Sequence, residues 1–306
     1  MADPQKVVPN PSSLEELNAL LPNPGSDGYI FFENVNTCTI ERTLVFRKLN
    51  CWWMIEMSYL VYAASASFVT QELATVGLGV AVFGFDRSQP PHVLVAHNDE
   101  IIVVAFRGTR INDLPDILAD VAFFPELTSN GFVHQGFQNA LISGGVWEDV
   151  KRHLSGISGN QTIFFTGHSL GAALATIAFR AYRDPVGRPR TLYTFGSPRV
   201  GDALIFCSTY PPNDYRIVNE DDVVTHVPTP PLYGHVGSAF GPNGSPLKVD
   251  LWEQLERRFS GIGEALGISG QAERRQRLSQ YFANQSLKPV GDHAPRCYAT
   301  KIWNAI

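Results

Sequence analysis

Cysteine is scarce in this chain. Only Cys38, Cys51, Cys207 and Cys297 occur in 306 residues, and none forms a Cys-x-x-Cys pair. That argues against zinc and dithiol redox chemistry; four buried free thiols are expected, with two disulfides as the alternative. Long apolar runs are also missing: none reaches the ~18 residues of a membrane span. Nor is there a large excess of one charge. Net charge is −5, which gives no argument for nucleic-acid binding. Met1-Ala2-Asp3-Pro4-Gln5-Lys6 lacks the basic-then-apolar pattern of a signal peptide. The expectation is a protein kept inside the cell, or one secreted after a leader has been removed. Repeats, low-complexity tracts and a dividing linker are absent, so a single domain over residues 1–306 is expected.

What is there is organised around residues 162–174, TIFFTGHSLGAAL. Ile163, Phe164 and Phe165 form the continuous apolar run of a strand covered on both faces. Residues 170–179 are rich in Ala and Leu and free of Pro, which suits a helix. Between them stand Gly167, Ser169 and Gly171. A nucleophilic hydroxyl must stand clear of the backbone on a strained strand-to-helix turn. Side chains two before and two after the serine would crowd that turn, so glycine fits both. The helix N-terminus then leaves the N–H of Leu170 free to receive an oxyanion. The alternative is a Gly-rich turn with an incidental serine.

Elsewhere, residues 1–28 are rich in Pro, Asn and Ser, with one short helix expected over 14–21. Ser12 with Glu15, and Ser13 with Glu16, have capping-box spacing. Residues 43–76 are expected to be helical, with Trp52, Trp53, Ile55, Met57, Leu60 and Val61 on a broad apolar face. Strands are expected at 80–86, 92–96 and 101–106, paired as antiparallel hairpins. Further strands at 191–195 and 215–218, with a helix at 138–154, alternate with the central unit. That alternation implies βαβ crossovers and a mostly parallel sheet of the α/β class, with helices on both faces. Helices at 250–259 and 271–282 form a helical insertion, expected to be a solvated hairpin.

Serine needs a base, and the base needs an orienting carboxylate. In an α/β sheet of this kind the chain order is Ser, then acid, then His. Asp222 follows the strand at 215–218, on the edge where such sheets place ligand groups. Asp221 is the runner-up, and a plain strand-end turn the third option. Asp202, Asp214 and Asp250 read as turn or cap residues. Among late histidines, His226 lies too close to Asp222, and His235 sits in a loop of structural character. His293 follows the last long helix and could reach the sheet edge; the alternative is a solvent-exposed loop histidine. His168, beside the serine, is read as structural. Over 111–124, Ile111, Leu114, Ile117, Leu118 and Val121 fall at helical spacing opposite Asp113, Asp116 and Asp120. Such a helix is usually a packed surface element, but its place directly after Arg107-Gly108-Thr109 favours a lid.

Five motifs taken in order carry a resemblance: Phe106-Arg107-Gly108-Thr109, Val133-His134-Gln135-Gly136-Phe137, Gly167-His168-Ser169-Leu170-Gly171, Gly196-Ser197-Pro198-Arg199-Val200-Gly201, and residues 219–228, NEDDVVTHVP. Together they resemble lipase class 3, the family of filamentous-fungal triacylglycerol lipases. The resemblance implies an α/β-hydrolase fold, with Ser169 as nucleophile, Asp222 as acid and His293 as base. It implies Thr109 and Leu170 as oxyanion donors, and 111–124 as an amphipathic lid helix that opens at an oil–water interface. Ile111, Leu114, Ile117, Leu118 and Val121 would then line the lid or substrate site. It also implies an ester substrate and no metal or organic cofactor. Triacylglycerol lipase is the first expectation; feruloyl or short-chain esterase, phospholipase and a non-catalytic lipid- or protein-binding module are the alternatives. Two departures stand out. Many members carry Asp-His-x-x-Tyr, whereas here Tyr298 comes two positions late, and the insertion at 250–282 is long. Oligomeric state is not read from the sequence.

Overall fold

The computed structural model describes residues 5–20, 22–84, 92–109, 125–228, 232–247 and 288–306. The expected lid residues Ile111, Leu114, Ile117, Leu118 and Val121, and the insertion at 250–282, lie outside the described residues.

A seven-stranded sheet runs through the centre. Its strands are β1 (Gly79–Phe83), β2 (Val93–His97), β3 (Ile101–Phe106), β6 (Thr162–His168), β7 (Arg190–Phe195), β9 (Asp214–Ile217) and β11 (Ser238–Phe240), in that spatial order. β1 with β2 and β2 with β3 pair antiparallel. The pairs from β3 to β11 are parallel. A smaller antiparallel sheet holds β10 (Tyr233–Gly234), β8 (Gly201–Asp202), β5 (Gly131–His134) and β4 (Pro125–Thr128). Asp202 anchors it, because its carboxylate accepts from the backbone N–H groups of Phe132, Ile205 and Phe206.

The central strands β3 and β6 are buried at every position because both faces are covered. Along β3, Ile102, Val104 and Phe106 face one core, while Ile101, Val103 and Ala105 face the other. This is the two-residue period of a strand split between two buried layers. The first core is closed by α4 (Gln135–Ile142), α5 (Val146–Gly156) and α6 (Leu170–Ala181). The second is closed by α2 (Lys48–Leu60), α3 (Ala66–Thr75) and α8 (Pro295–Trp303). α2 is buried from Asn50 to Leu60, which explains why its apolar face looks so broad in the sequence.

Three helices are shorter than the sequence pattern predicts. The expected helix over 43–76 is two helices. Ser65 interrupts it, with its hydroxyl accepting from the Phe68 N–H and capping α3. The expected helix over 138–154 is also broken, because Gly144 and Gly145 take positive φ, which ends one helix and begins another. α1 (Leu14–Asn18) is capped by Ser13 and stops before the expected end at 21. All four cysteines are free thiols. No helix among the described residues is long and apolar enough to cross a membrane.

Candidate active site

The site forms where β6 meets α6. Ser169 sits at that junction with φ 59° and ψ −128°, a conformation costly for any side chain that is not glycine. Its N–H donates to the Phe195 carbonyl, which fixes the turn to β7. The flanking glycines are required by space. A Cβ on Gly167 would overlap the Gly171 carbonyl, and one on Gly171 would overlap the Phe106 carbonyl. The helix and the end of β3 therefore touch backbone to backbone beneath the serine. Ser169 is buried, and its hydroxyl makes no hydrogen bond among the described residues.

The strands ending beside the serine deliver the other groups. After β3, Gly108 lies so close to the elbow that a Cβ there would come within 3.2 Å of the Ser169 Cβ. Thr109, next in the chain, is half-buried. Leu170 is the first residue of α6, so its N–H has no acceptor within the helix. After β9, Asp222 is fully buried and accepts from the Val224 N–H at 2.9 Å. Its two oxygens lie 2.9 Å from Nδ1 of His293, which is itself 1% exposed. Tyr298 donates to the same carboxylate at 2.6 Å and accepts from the Asn219 N–H at 3.0 Å. Although it stands two positions late in the motif, Tyr298 still reaches Asp222 from α8.

Burial alone would raise the carboxyl pKa of Asp222. The His293 imidazole and the hydrogen bonds from His293 and Tyr298 outweigh that and hold it below its ordinary value. Asp222 is thus a buried carboxylate whose preferred partner is an imidazole N–H.

A second layer ties the loops of Asp222 and His293 together. Lys288, in α7 (Lys288–Gly291), pairs with Glu220 and lies 2.7 Å from Asp292. Lys301 reaches Glu220 at 2.6 Å and Asn219 at 2.7 Å. The Asn219 amide donates to the Asp292 carbonyl at 2.7 Å. Apart from the Lys288–Asp292 pair, four positions apart, none of these links is readable from local pattern, since each of the others joins residues some 70 or 80 positions apart.

The competing candidates lie elsewhere. His226 is buried, and burial followed by the Arg199 charge pushes it down to about 4. His235 bonds the Thr225 carbonyl at 2.8 Å, as a structural loop residue would. His168 points away from its neighbour Ser169, towards Tyr62 and the backbone of His293. Asp202 caps the turn at 203–207, as its sequence context suggests. Asp214 does not match its reading as a turn or cap. It opens β9, and its carboxylate makes no hydrogen bond among the described residues. Burial, opposed by Arg216, pushes its pKa up to about 7. No group of three or more metal-ligating side chains occurs among the described residues.

Several known proteins are similar. Residues 103–231 match the family described as lipase (class 3). The chain is 36% identical over 156 residues to secreted mono- and diacylglycerol lipase 1 of Fusarium solani, covering 47% of this chain and 44% of that protein. It is 30% identical over 158 residues to secreted mono- and diacylglycerol lipase 3 of Gibberella zeae, covering 46% and 49%. The matched stretch is thus under half of each relative's length. The triacylglyceride lipase of Rhizomucor miehei superposes with a TM-score of 0.53 at 20% identity, covering 80% of this chain and 94% of that one. That likeness is one of fold, and the fold is the α/β-hydrolase fold. Ser169 and Asp222 both fall inside the matched residues and His293 beyond them; over that segment the chain is similar to the lipase (class 3) family.

Proposed function

We propose that this chain is a serine carboxylic ester hydrolase that cleaves acylglycerols. The observation that carries the reading is the buried Asp222–His293 pair, with His293 Nδ1 at 2.9 Å from the carboxylate, set against the strained turn of Ser169. A carboxylate accepts only, so Nδ1 carries the hydrogen and Nε2 of the neutral ring is left as a base. His293 takes the Ser169 proton as Oγ attacks the ester carbonyl. The N–H groups of Thr109 and Leu170 receive the oxyanion, one such donor being worth roughly 3–4 kcal/mol of barrier. His293 then gives the proton to the departing alcohol, and water, activated by the same imidazole, releases the acid from Ser169. Hydrogen bonds of this kind tighten when substrate arrives, so the unengaged Ser169 hydroxyl suits a resting site.

The acylglycerol class is supported by the relatives, which are named as mono- and diacylglycerol lipases. The lid reading of residues 111–124 rests on their amphipathic pattern. On that reading, Ile111, Leu114, Ile117, Leu118 and Val121 cover the pocket in water and turn outward at an oil–water interface. Turnover of a short triglyceride should then step upward at its solubility limit, and a smooth curve would argue for a plain esterase. Ser169→Ala should abolish hydrolysis of p-nitrophenyl butyrate. Full turnover by the pure variant would end the proposal.

A further inference from the structure

Two buried residues that the reaction does not use join the parts that it does. Tyr62, just after α2, lies 3.0 Å through its hydroxyl from Nδ1 of His168. Nε2 of His168 lies 2.6 Å from the His293 carbonyl. The Tyr62 hydroxyl also packs against Gly108, where an added Cβ would overlap it. Tyr62 and His168 are only 2% and 1% exposed, so water cannot substitute for these bonds.

The directions of these bonds are fixed. A carbonyl can only accept, so Nε2 of His168 carries the hydrogen. Burial first, then the charge of His293, push His168 down to about 3, so the ring stays neutral and Nδ1 is bare. Tyr62 must therefore donate to Nδ1. One arrangement of hydrogens makes both bonds, from Tyr62 to His168 and from His168 to the His293 carbonyl. Buried polar groups need partners in any protein, and a purely structural pair could find them anywhere. Here one end is bonded to the His293 carbonyl and the other is packed against Gly108, so the pair touches both loops that flank Ser169. One loop is the Arg107-Gly108-Thr109 segment and the other carries the imidazole. The rings of His168 and His293 also lie against each other, with centroids 4.5 Å apart.

We propose that Tyr62 and His168 are positioning residues: a buried relay that sets the oxyanion loop and the His293 loop at one fixed spacing around Ser169. The proposal rests on the ester-hydrolase reading. It goes further, in assigning to the turn after α2 and to the residue before the serine a part in transition-state alignment.

The experiment compares Tyr62→Phe, His168→Gln and His168→Leu with the wild type, using p-nitrophenyl butyrate kinetics and melting temperatures. Tyr62→Phe keeps the ring and removes only the hydroxyl. Misplacing reacting groups by a fraction of an ångström should lower kcat about 10- to 100-fold, with KM within about twofold. Gln carries an amide N–H that can reach the His293 carbonyl and Leu carries none, so His168→Gln should retain about tenfold more kcat than His168→Leu. The relay is overturned if Tyr62→Phe keeps wild-type kcat, if the Gln and Leu variants are equal, or if the losses simply follow melting temperature. Wild-type labelling by a fluorophosphonate is read first. Its absence would sink the ester-hydrolase reading and the relay with it, whereas an unaltered kcat in Tyr62→Phe sinks the relay alone.

Discussion

Gly196 lies behind the Asp222–His293 pair, and adding one methyl there tests how tightly the pair is held. Its φ is +56°, and a Cβ would come within 2.6 Å of Asp222 Oδ2, 2.9 Å of His293 Nδ1 and 3.0 Å of His293 Cε1. Ordinary contact begins near 3.4 Å, so the carboxylate must move by roughly 0.8 Å or the ring must rotate. Neither has free space, because both side chains are buried. A displacement of that size in a catalytic pair should lower kcat about 10- to 100-fold, or about 1.4–2.7 kcal/mol of barrier. Positive φ adds a stability cost of roughly 1–2 kcal/mol for Ala. Asn carries the same Cβ and tolerates that conformation better. Gly196→Asn should therefore lose as much kcat as Gly196→Ala while losing less stability. The assay is p-nitrophenyl butyrate turnover alongside urea unfolding. Wild-type kcat in both variants would refute the reasoning, because it would mean that the Asp222–His293 contact does not set the rate.

Two further substitutions test groups around and beyond the pair. Tyr298→Phe removes a 2.6 Å hydrogen bond to a buried carboxylate. It should cost about 1.5–3 kcal/mol in urea unfolding, and a loss under about 0.5 kcal/mol would contradict the bond's assigned importance. Glu56, buried in α2, accepts from the Tyr29 hydroxyl and, at 3.2 Å, from the Phe32 N–H. Burial pushes its pKa up to about 7, although those bonds and Lys6 oppose the shift. Between its unfolded value of 4.5 and about 7, the folded chain binds the extra proton, so stability falls as pH rises through that window. Glu56→Gln should shrink the stability difference between pH 5 and pH 8 by about 2–3 kcal/mol, and an unchanged difference would remove Glu56 as its source.

The readable parts of the sequence were those fixed by local constraint. Gly167, Ser169 and Gly171 stand where backbone contacts leave room for nothing larger, so the elbow announces itself within a few residues. β3 is apolar at every position, and β6 carries a run of three apolar residues, because both sheet faces are covered, and that too is a local signal. Helix breaks were harder. Ser65 and the Gly144-Gly145 pair each interrupt a pattern that apolar periodicity alone continues. The two-residue strands β8 and β10 carry no periodicity to detect. Asp214 was misread because an aspartate before a strand resembles a turn residue, and only the fold reveals its burial. The links from Tyr62 to His168, and from Lys288 and Lys301 to Glu220, join elements distant in the chain. Nothing near any of those residues marks its partner. The α/β-hydrolase fold was therefore legible, whereas the shell that holds the candidate site together was not.

The most direct measurement is fluorophosphonate treatment of the pure protein, followed by peptide mapping by mass spectrometry. The account predicts one adduct per chain, on the peptide that contains Ser169, with ester hydrolysis lost in parallel. An unlabelled protein, or label on another residue while Ser169→Ala still turns over ester, would contradict it.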